Sequence, residues 1–540
     1  MPSSMLRGSC RPARLVAALL AVLTVAAIPH QSALSAALPV APKTFDSSYA
    51  APSGKTLNVA AGGNLQEALD QAELGDTIVL EAGATFKGRF KLPNKTTGSG
   101  WIYVVSSKLA SLPTAGQRVG PNNAANMPKV VSKPWDSALV TVENSHHFRF
   151  VGIEFAPVPG GGLYQLIVIG NKDSSPATLP HHIVFDRCYV HGDPAVNDRR
   201  GIAMDGAFVA VVDSYISDFQ EAGADSQALW AYNTSGPLQI RNNYIQGAGE
   251  NVMFGGANSR DPALVPADIE IRDNYFFKPL SLLTTKNTIK NLLEFKAAKR
   301  VLVTGNIFQN NPLSAQQGFA ILITPRNAGT SPWSVTSDIE IAGNTLINVG
   351  SGFNVMGLDN NASTLMTERV LIHNNLVGVS GLNGASGRAF QFVAGGSDYT
   401  VDHNTIINSA PTTSSVALAE SKRGKISNFV FTNNLATRTA WGFFGTGAGE
   451  GTRPLDTYFT NWTFSKNVLV DRPASDYPAG NFFPAGVAGV RFANYAGGQY
   501  TLAVDSPYRN AGTDGTDIGA NGAPPTNAIL PNPPTNVAVQ

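Results

Sequence analysis

The sequence predicts an all-β fold, a right-handed single-stranded parallel β-helix with an N-terminal capping helix, and three observations predict it. A phrase of the form apolar-x-apolar-x-x-Asn-apolar recurs at intervals of about 30 residues, the spacing of a solenoid or array. A second short apolar strand recurs once in each interval, with the alternation of a strand that buries one face. Charged residues make up only 14% of the chain and Gly occurs 53 times, which suits a turn-rich β protein better than a helical one.

The first 37 residues read as a signal peptide. Arg7, Arg11 and Arg14 precede an apolar run over 15–28, and Ser35-Ala36-Ala37 offers small residues for cleavage. The run is short for a spanning helix. The expected product is therefore secreted, extracellular or periplasmic, and free of the membrane once the signal is removed. Cys10 lies inside the signal, so Cys188 stands alone in the mature chain and no internal disulfide is expected. The formal net charge of +1 gives no reason to expect nucleic acid as a partner.

Residues 38–55 read as a loose leader. A helix is expected over 64–73, started by Asn64 with Glu67 in a capping-box-like arrangement and burying Leu65, Ala68, Leu69 and Ala72. Such a helix suits a cap on the open apolar end of a coil stack. The β-helix domain is expected over 56–521, with GTDGTDIGAN (512–521) closing it. Residues 522–540 form a Pro-rich tail or linker.

The recurring Asn falls at Asn243, Asn274, Asn306, Asn344, Asn375, Asn404, Asn434 and Asn467, with Cys188 and Ser214 in the same slot of earlier coils. At a bend between strands the backbone loses ladder partners, and stacked Asn amides can supply them. Cys188 and Ser214 are small enough to end such a stack. The units lack a helical pattern, which excludes ankyrin, tetratricopeptide and armadillo arrays. They are too short for propeller blades.

The second strand lies in SQALWAYN (226–233), GENVMFGG (249–256), NLLEFKAA (291–298), FAILITPRN (319–327), GFNVMGLD (352–359) and GRAFQFVAG (387–395). Placing Leu229, Ala231, Val252, Phe254, Leu293, Phe295, Ile321, Ile323, Val355, Phe390 and Phe392 inward turns another set outward. That set includes Trp230, Tyr232, Met253, Glu294, Lys296, Thr324, Met356 and Gln391. With strands about 4.8 Å apart, residues distant in sequence share one strip.

The segment VAAGGNLQEALDQAELGDTIVLEAGATFKG, followed by these coils, resembles the pectate lyase (pectin lyase-like) superfamily of right-handed parallel β-helix proteins, over about residues 55–520. GENVMFGG, NLLEFKAAKRVLVTGNIFQNN and TPRN are similar to a bacterial secreted branch of mostly uncharacterised members. The resemblance implies a polysaccharide partner bound along the exposed strand. The polygalacturonase motifs, Asn-Thr-Asp, Asp-Asp and Gly-His-Gly, are absent as a set, and the calcium-lyase arrangement of Asp and Arg is not reproduced.

The sharpest candidate constellation is Glu294, Lys296 and Arg326, with Glu250 one coil earlier. Cations beside a carboxylate suit an acidic sugar, because neutralising a uronate carboxylate eases removal of the proton on the adjacent carbon. Lys296 or Arg326 is the expected base, provided its neighbours lower its pKa. Trp230 and Tyr232 are candidates for stacking on sugar rings, and Gln391 and Asp359 for further substrate contacts. Among the acids of 191–225, Asp205 and Asp225 are candidate calcium ligands, with no cofactor otherwise indicated. His191, near Asp193, is a weaker acid–base candidate. His146-His147 and His181-His182 precede strands and read as solvated or turn-bonding, since their spacing matches no zinc motif. The expected function is a polysaccharide lyase, acting as a monomer on a uronate polymer by β-elimination. The alternatives are a glycoside hydrolase using Glu250 and Glu294, and a non-catalytic polysaccharide-binding solenoid.

Overall fold

The computed structural model describes residues 36–170, 173–410 and 413–521. The expected signal peptide, up to residue 35, and the expected tail over 522–540 lie outside the described residues. Among the described residues no helix is long and apolar enough to cross a membrane.

The chain winds as a parallel β-helix of three sheets. Sheet I has 14 strands, from Thr56–Val59 to Phe459–Ser465. Sheet II has 13, from Phe90–Leu92 to Gly449–Glu450, and sheet III has 13, from Thr85–Lys87 to Val468–Leu469. Each complete coil gives one strand to each sheet, and strands within the sheets pair in parallel with those one coil away, apart from an antiparallel turn at the end of sheet II; a separate antiparallel pair, Phe492–Asn494 with Gln499–Leu502, follows the last coil. One continuous apolar core fills the centre. All eleven side chains expected to point inward from sheet II belong to it.

The Asn slot lies at the bend between sheets I and III. Each amide donates to the next, as from Asn306 to Asn344 at 2.9 Å and from Asn375 to Asn404 at 3.0 Å. The same carbonyl oxygen also accepts a backbone N–H, as from Asn306 N to Asn344 Oδ1 at 2.9 Å. The residue before the slot is left-handed, for example Asn242 at φ +53° and Asn374 at φ +54°. That kink turns backbone groups inward, where a side-chain amide can meet them. The stack runs further than its sequence phrase. Asn481 receives Asn467 at 3.0 Å, and Ser214 Oγ accepts the N–H of Cys188 at 2.9 Å. Cys188 is buried, and burial pushes its thiol up to about 12, so it is inert.

Both ends of the core are covered. The helix Leu65–Gln71 buries Leu65, Ala68 and Leu69, and the Asn64 side chain accepts the N–H of Glu67. At the other end the helix Thr452–Tyr458, which the sequence pattern did not announce, buries Leu455 in the core. Ile518 of the closing segment packs with Leu435, Val468 and Val490.

The leader is not loose. It runs along sheet I, where side chains on widely spaced coils accept its N–H groups. Ala37 donates to Asp398 at 3.0 Å, Val40 to Asp338 at 3.1 Å and Lys43 to Asp268 at 2.9 Å. Arg149 donates to the carbonyl oxygens of Ser47 at 2.7 Å and Ser48 at 3.0 Å. Composition cannot reveal this strap, because its acceptors lie hundreds of residues away.

Candidate active site

The strands of sheet II place one outward row in register. Trp230, Met253, Glu294, Leu322, Asn354 and Gln391 pair in that order from coil to coil. Lys296 follows the strand Leu293–Phe295 and shares the outward face with Glu294. The N–H of Arg326 donates to the carbonyl oxygen of Lys296 at 2.8 Å, which joins the backbones of these two residues on adjacent coils. Gly255, at φ +86°, lets the preceding coil pass close beneath them, since a Cβ there would lie 2.5 Å from the Ala297 nitrogen.

Glu294, Lys296, Arg326, Asn354, Gln391 and Arg423 line a groove of about 880 Å³. Glu294 accepts hydrogen bonds from Asn291 Nδ2 at 3.0 Å and Thr324 Oγ1 at 3.3 Å. Gln391 donates to Asn354 at 3.1 Å and accepts from Arg388 at 2.6 Å.

The Lys296 ammonium lies 3.6 Å from Glu294, 3.9 Å from Glu250 and 3.9 Å from Asp225. Burial alone would lower its pKa, but the carboxylates of Glu294, Glu250 and Asp225 outweigh burial and hold it above the usual lysine value. The condition on which Lys296 could act as base is therefore not met in the resting protein, where the amine keeps its proton. Lys290 pairs with Asp225 and lies 3.7 Å from Glu250. Burial would raise the Asp225 carboxyl, yet Lys290 and Lys296 hold it below the usual range.

Glu250 sits beneath this cluster, fully buried. Its Oε2 accepts from Gln227 at 2.7 Å, and Gln227 in turn accepts from Arg200 at 2.6 Å. Its Oε1 has no hydrogen-bond donor, only the two ammoniums. Burial, with Glu294 and Asp225 nearby, pushes the carboxyl up to about 7 against the pull of Lys296 and Lys290. Below it, the buried Lys278 ammonium donates to Gly247, Ala248 and Gly249 carbonyl oxygens and to Asn251 Oδ1, at 2.7 to 2.9 Å. Burial pushes Lys278 down to about 7. Four oxygens around one nitrogen nonetheless favour the ammonium, which has three protons to share among them where a neutral amine has two.

The other expected residues divide. Asp359 is buried, and it fixes Arg326 at 2.8 Å and the Asn327 N–H at 3.0 Å instead of facing the groove. Trp230 is only 7% exposed. Its indole N–H donates to Gly255 at 2.9 Å, and its ring lies between Tyr232, stacked at 4.7 Å, and the Arg200 guanidinium at 4.1 Å. Trp230 and Tyr232 line a separate hollow with Asp205 and Tyr164, so they offer no open stacking platform in the main groove. His191 bonds Glu154 at 3.0 Å on sheet III, away from the groove.

Calcium does not fit this arrangement. Asp205 Oδ1 accepts the N–H groups of Tyr232 at 2.7 Å and Asn233 at 3.0 Å, while Asp225 is occupied by Lys290. The carboxylates that do converge, Asp225, Glu250 and Glu294, already surround two ammoniums, and a divalent cation among them would be repelled.

The sequence pattern places Thr324 on the outward strip without a role, and it does not single out Asn291, Lys290 or Gln227. Gln227 had a signal, because SerGln at 226–227 aligns with GlyGlu at 249–250. Lys290 had none, since it arrives from an irregular loop.

No protein-family model matches the chain, and no curated protein matches it. Among solved structures the chain is similar to the catalytic unit of a thermostable GH87 α-1,3-glucanase from Streptomyces thermodiastaticus, with 15% identity over 83% of this chain and 72% of that one and a TM-score of 0.49. It is similar to a mannuronic-acid-specific polysaccharide family 6 lyase from human gut microbiota, with 8% identity over 80% and 92% and a TM-score of 0.49. It is also similar to an alginate lyase from Paenibacillus sp., with 16% identity over 73% and 97% and a TM-score of 0.29. The parallel β-helix stands on the ladders of this chain itself, and these likenesses assign no residue a role.

Proposed function

We propose that the protein is an exported polysaccharide lyase that binds an acidic polymer along the sheet II groove and cleaves it by β-elimination. One observation carries this reading: Lys296 and Arg326, on adjacent coils, both line one groove that also presents Glu294. Two cations in one groove suit a uronate polymer, and charge withdrawal at a bound carboxylate acidifies the proton on the neighbouring carbon.

The roles follow from the surroundings. Arg326, held by Asp359, grips the uronate carboxylate. Glu294, oriented by Asn291 and Thr324, takes the carbon-bound proton. Its electron pair passes into the ring carbon–carbon double bond as the glycosidic carbon–oxygen bond breaks. Lys296, kept protonated, donates to the departing oxygen. Glu250 and Asp225 hold the Lys296 ammonium in place, and Lys290 pairs with the same two carboxylates.

A hydrolase using Glu250 and Glu294 is less well supported, because Glu250 is fully buried and does not line the groove. The test is incubation with a panel of uronate polymers. A lyase yields an ultraviolet-absorbing unsaturated end with each cut. A hydrolase yields reducing ends without that absorbance, and a binding protein yields neither.

A further inference from the structure

Four histidines meet on sheet I, away from the groove. His146 and His147 open the strand His146–Val151, and His181 and His182 open His181–Asp186 on the next coil. The register pairs His181 with His146. The rings stack in two columns, His146 on His181 at 4.9 Å and His147 on His182 at 4.5 Å. A spacing of about 35 residues hides this meeting from any linear motif, because one turn of the coil separates the pairs.

We propose that His147, His181 and His182 form a binding site for a divalent transition metal that favours imidazole, such as zinc, nickel or copper. One ring nitrogen from each lies within 4.8 Å of the others. Metal–nitrogen bonds of about 2.0–2.1 Å require closer nitrogens, so the rings must turn toward one another at these partly buried positions. Three imidazoles with an open fourth position match the preference of these metals for nitrogen donors.

The hydrogen bonds leave His147 a nitrogen for ligation, whereas the Nδ1–Nδ1 bond between His181 and His182 at 2.7 Å must open for both of those rings to bind. His146 Nε2 lies 2.9 Å from the Lys95 carbonyl oxygen, which can only accept, so that nitrogen carries a proton. In a neutral ring His146 Nδ1 is then an acceptor, and His147 Nδ1, at 2.8 Å, donates to it. His147 Nε2 is left with a free lone pair. Trp101 meets the edge of His147 at 5.1 Å and Phe208 stacks on His182 at 4.4 Å, so aromatic walls close both ends of the column.

The experiment is titration of the tag-free full chain with zinc chloride by calorimetry, with cobalt chloride as a spectroscopic probe. About one zinc per chain is expected, with a visible cobalt band of tetrahedral character. The double variant His147→Gln/His182→Gln should lose at least tenfold in affinity and lose the band, while its metal-free circular dichroism is unchanged. Should that variant misfold, His181→Asn serves as the second test, with the same expected loss. Lys296→Ala should bind zinc as the parent does. Absence of binding, or binding that survives the histidine changes, overturns the site and leaves a stacked aromatic column.

Discussion

Arg326 donates its backbone N–H to the carbonyl oxygen of Lys296 at 2.8 Å, although the two lie on different coils. That single ladder bond joins two cationic residues that line one groove, without any local sequence motif. Around Lys296 the carboxylates of Glu294, Glu250 and Asp225 form a cage that keeps the amine charged.

Lys296→Ala should therefore reduce elimination by about 10²–10³-fold, the loss expected when a charge-stabilising donor is removed. The melting temperature should change little or rise at low pH, where Glu250 is already neutral. Arg326→Ala should act mainly on KM, and Asp359→Asn should give a weaker form of the same defect by releasing Arg326. Initial rates over a range of substrate concentrations separate these effects.

Glu250 makes stability depend on pH in a defined direction. Its carboxyl is pushed from the ordinary 4.5 up to about 7 in the folded protein. Between those values the native state holds a proton that the unfolded chain has released, so this group's contribution to stability falls as pH rises through that window. Glu250→Gln should gain on the parent when the two are compared at pH 8 and not at pH 5. Thermal melts of both proteins across that range check the sign.

The amide stack should be most sensitive in its middle. Asn306→Ala removes the partner of Asn274 and of the Asn274 backbone N–H, and frees the carbonyl oxygen of Ile271. Each buried group left unmet costs about 1–3 kcal/mol. Asn481→Ala, at the end of the stack, should cost less because Asn481 is less buried. Denaturant melts of the two variants give the comparison.

The leader strap should matter for stability although it makes no regular structure. A chain beginning at residue 53 loses the bonds to Asp398, Asp338 and Asp268 and those from Arg149. Its melting temperature should drop, and Asp338 and Asp268 should remain paired with Arg369 and Arg300. Calorimetry on the shortened chain tests this.

The repeated Asn and the alternation of Leu293 and Phe295 with Glu294 made the coil legible, because both signals repeat with the period of the structure. Glu294, Lys296 and Arg326 were legible for the same reason, as outward residues at the ends of repeating strands. Asp359 and Trp230 were assigned to the groove because alternation tells outward from inward but not outward from covered. Asp359 is drawn under the turn at Asn327, and Trp230 lies between Arg200 and Tyr232. Lys290 and the strap acceptors depend on loops, whose course no periodicity records. The histidine pairs looked unrelated because their contact exists only after one full turn of winding.

The central claim is tested most directly by following ultraviolet absorbance while the protein acts on uronate polymers in the presence of a chelator. The predicted result is a rise in absorbance from unsaturated ends that survives the chelator and disappears in Lys296→Ala. Cleavage that gives new reducing ends without that rise would contradict elimination, and a rise abolished by the chelator would contradict the ammonium-filled site.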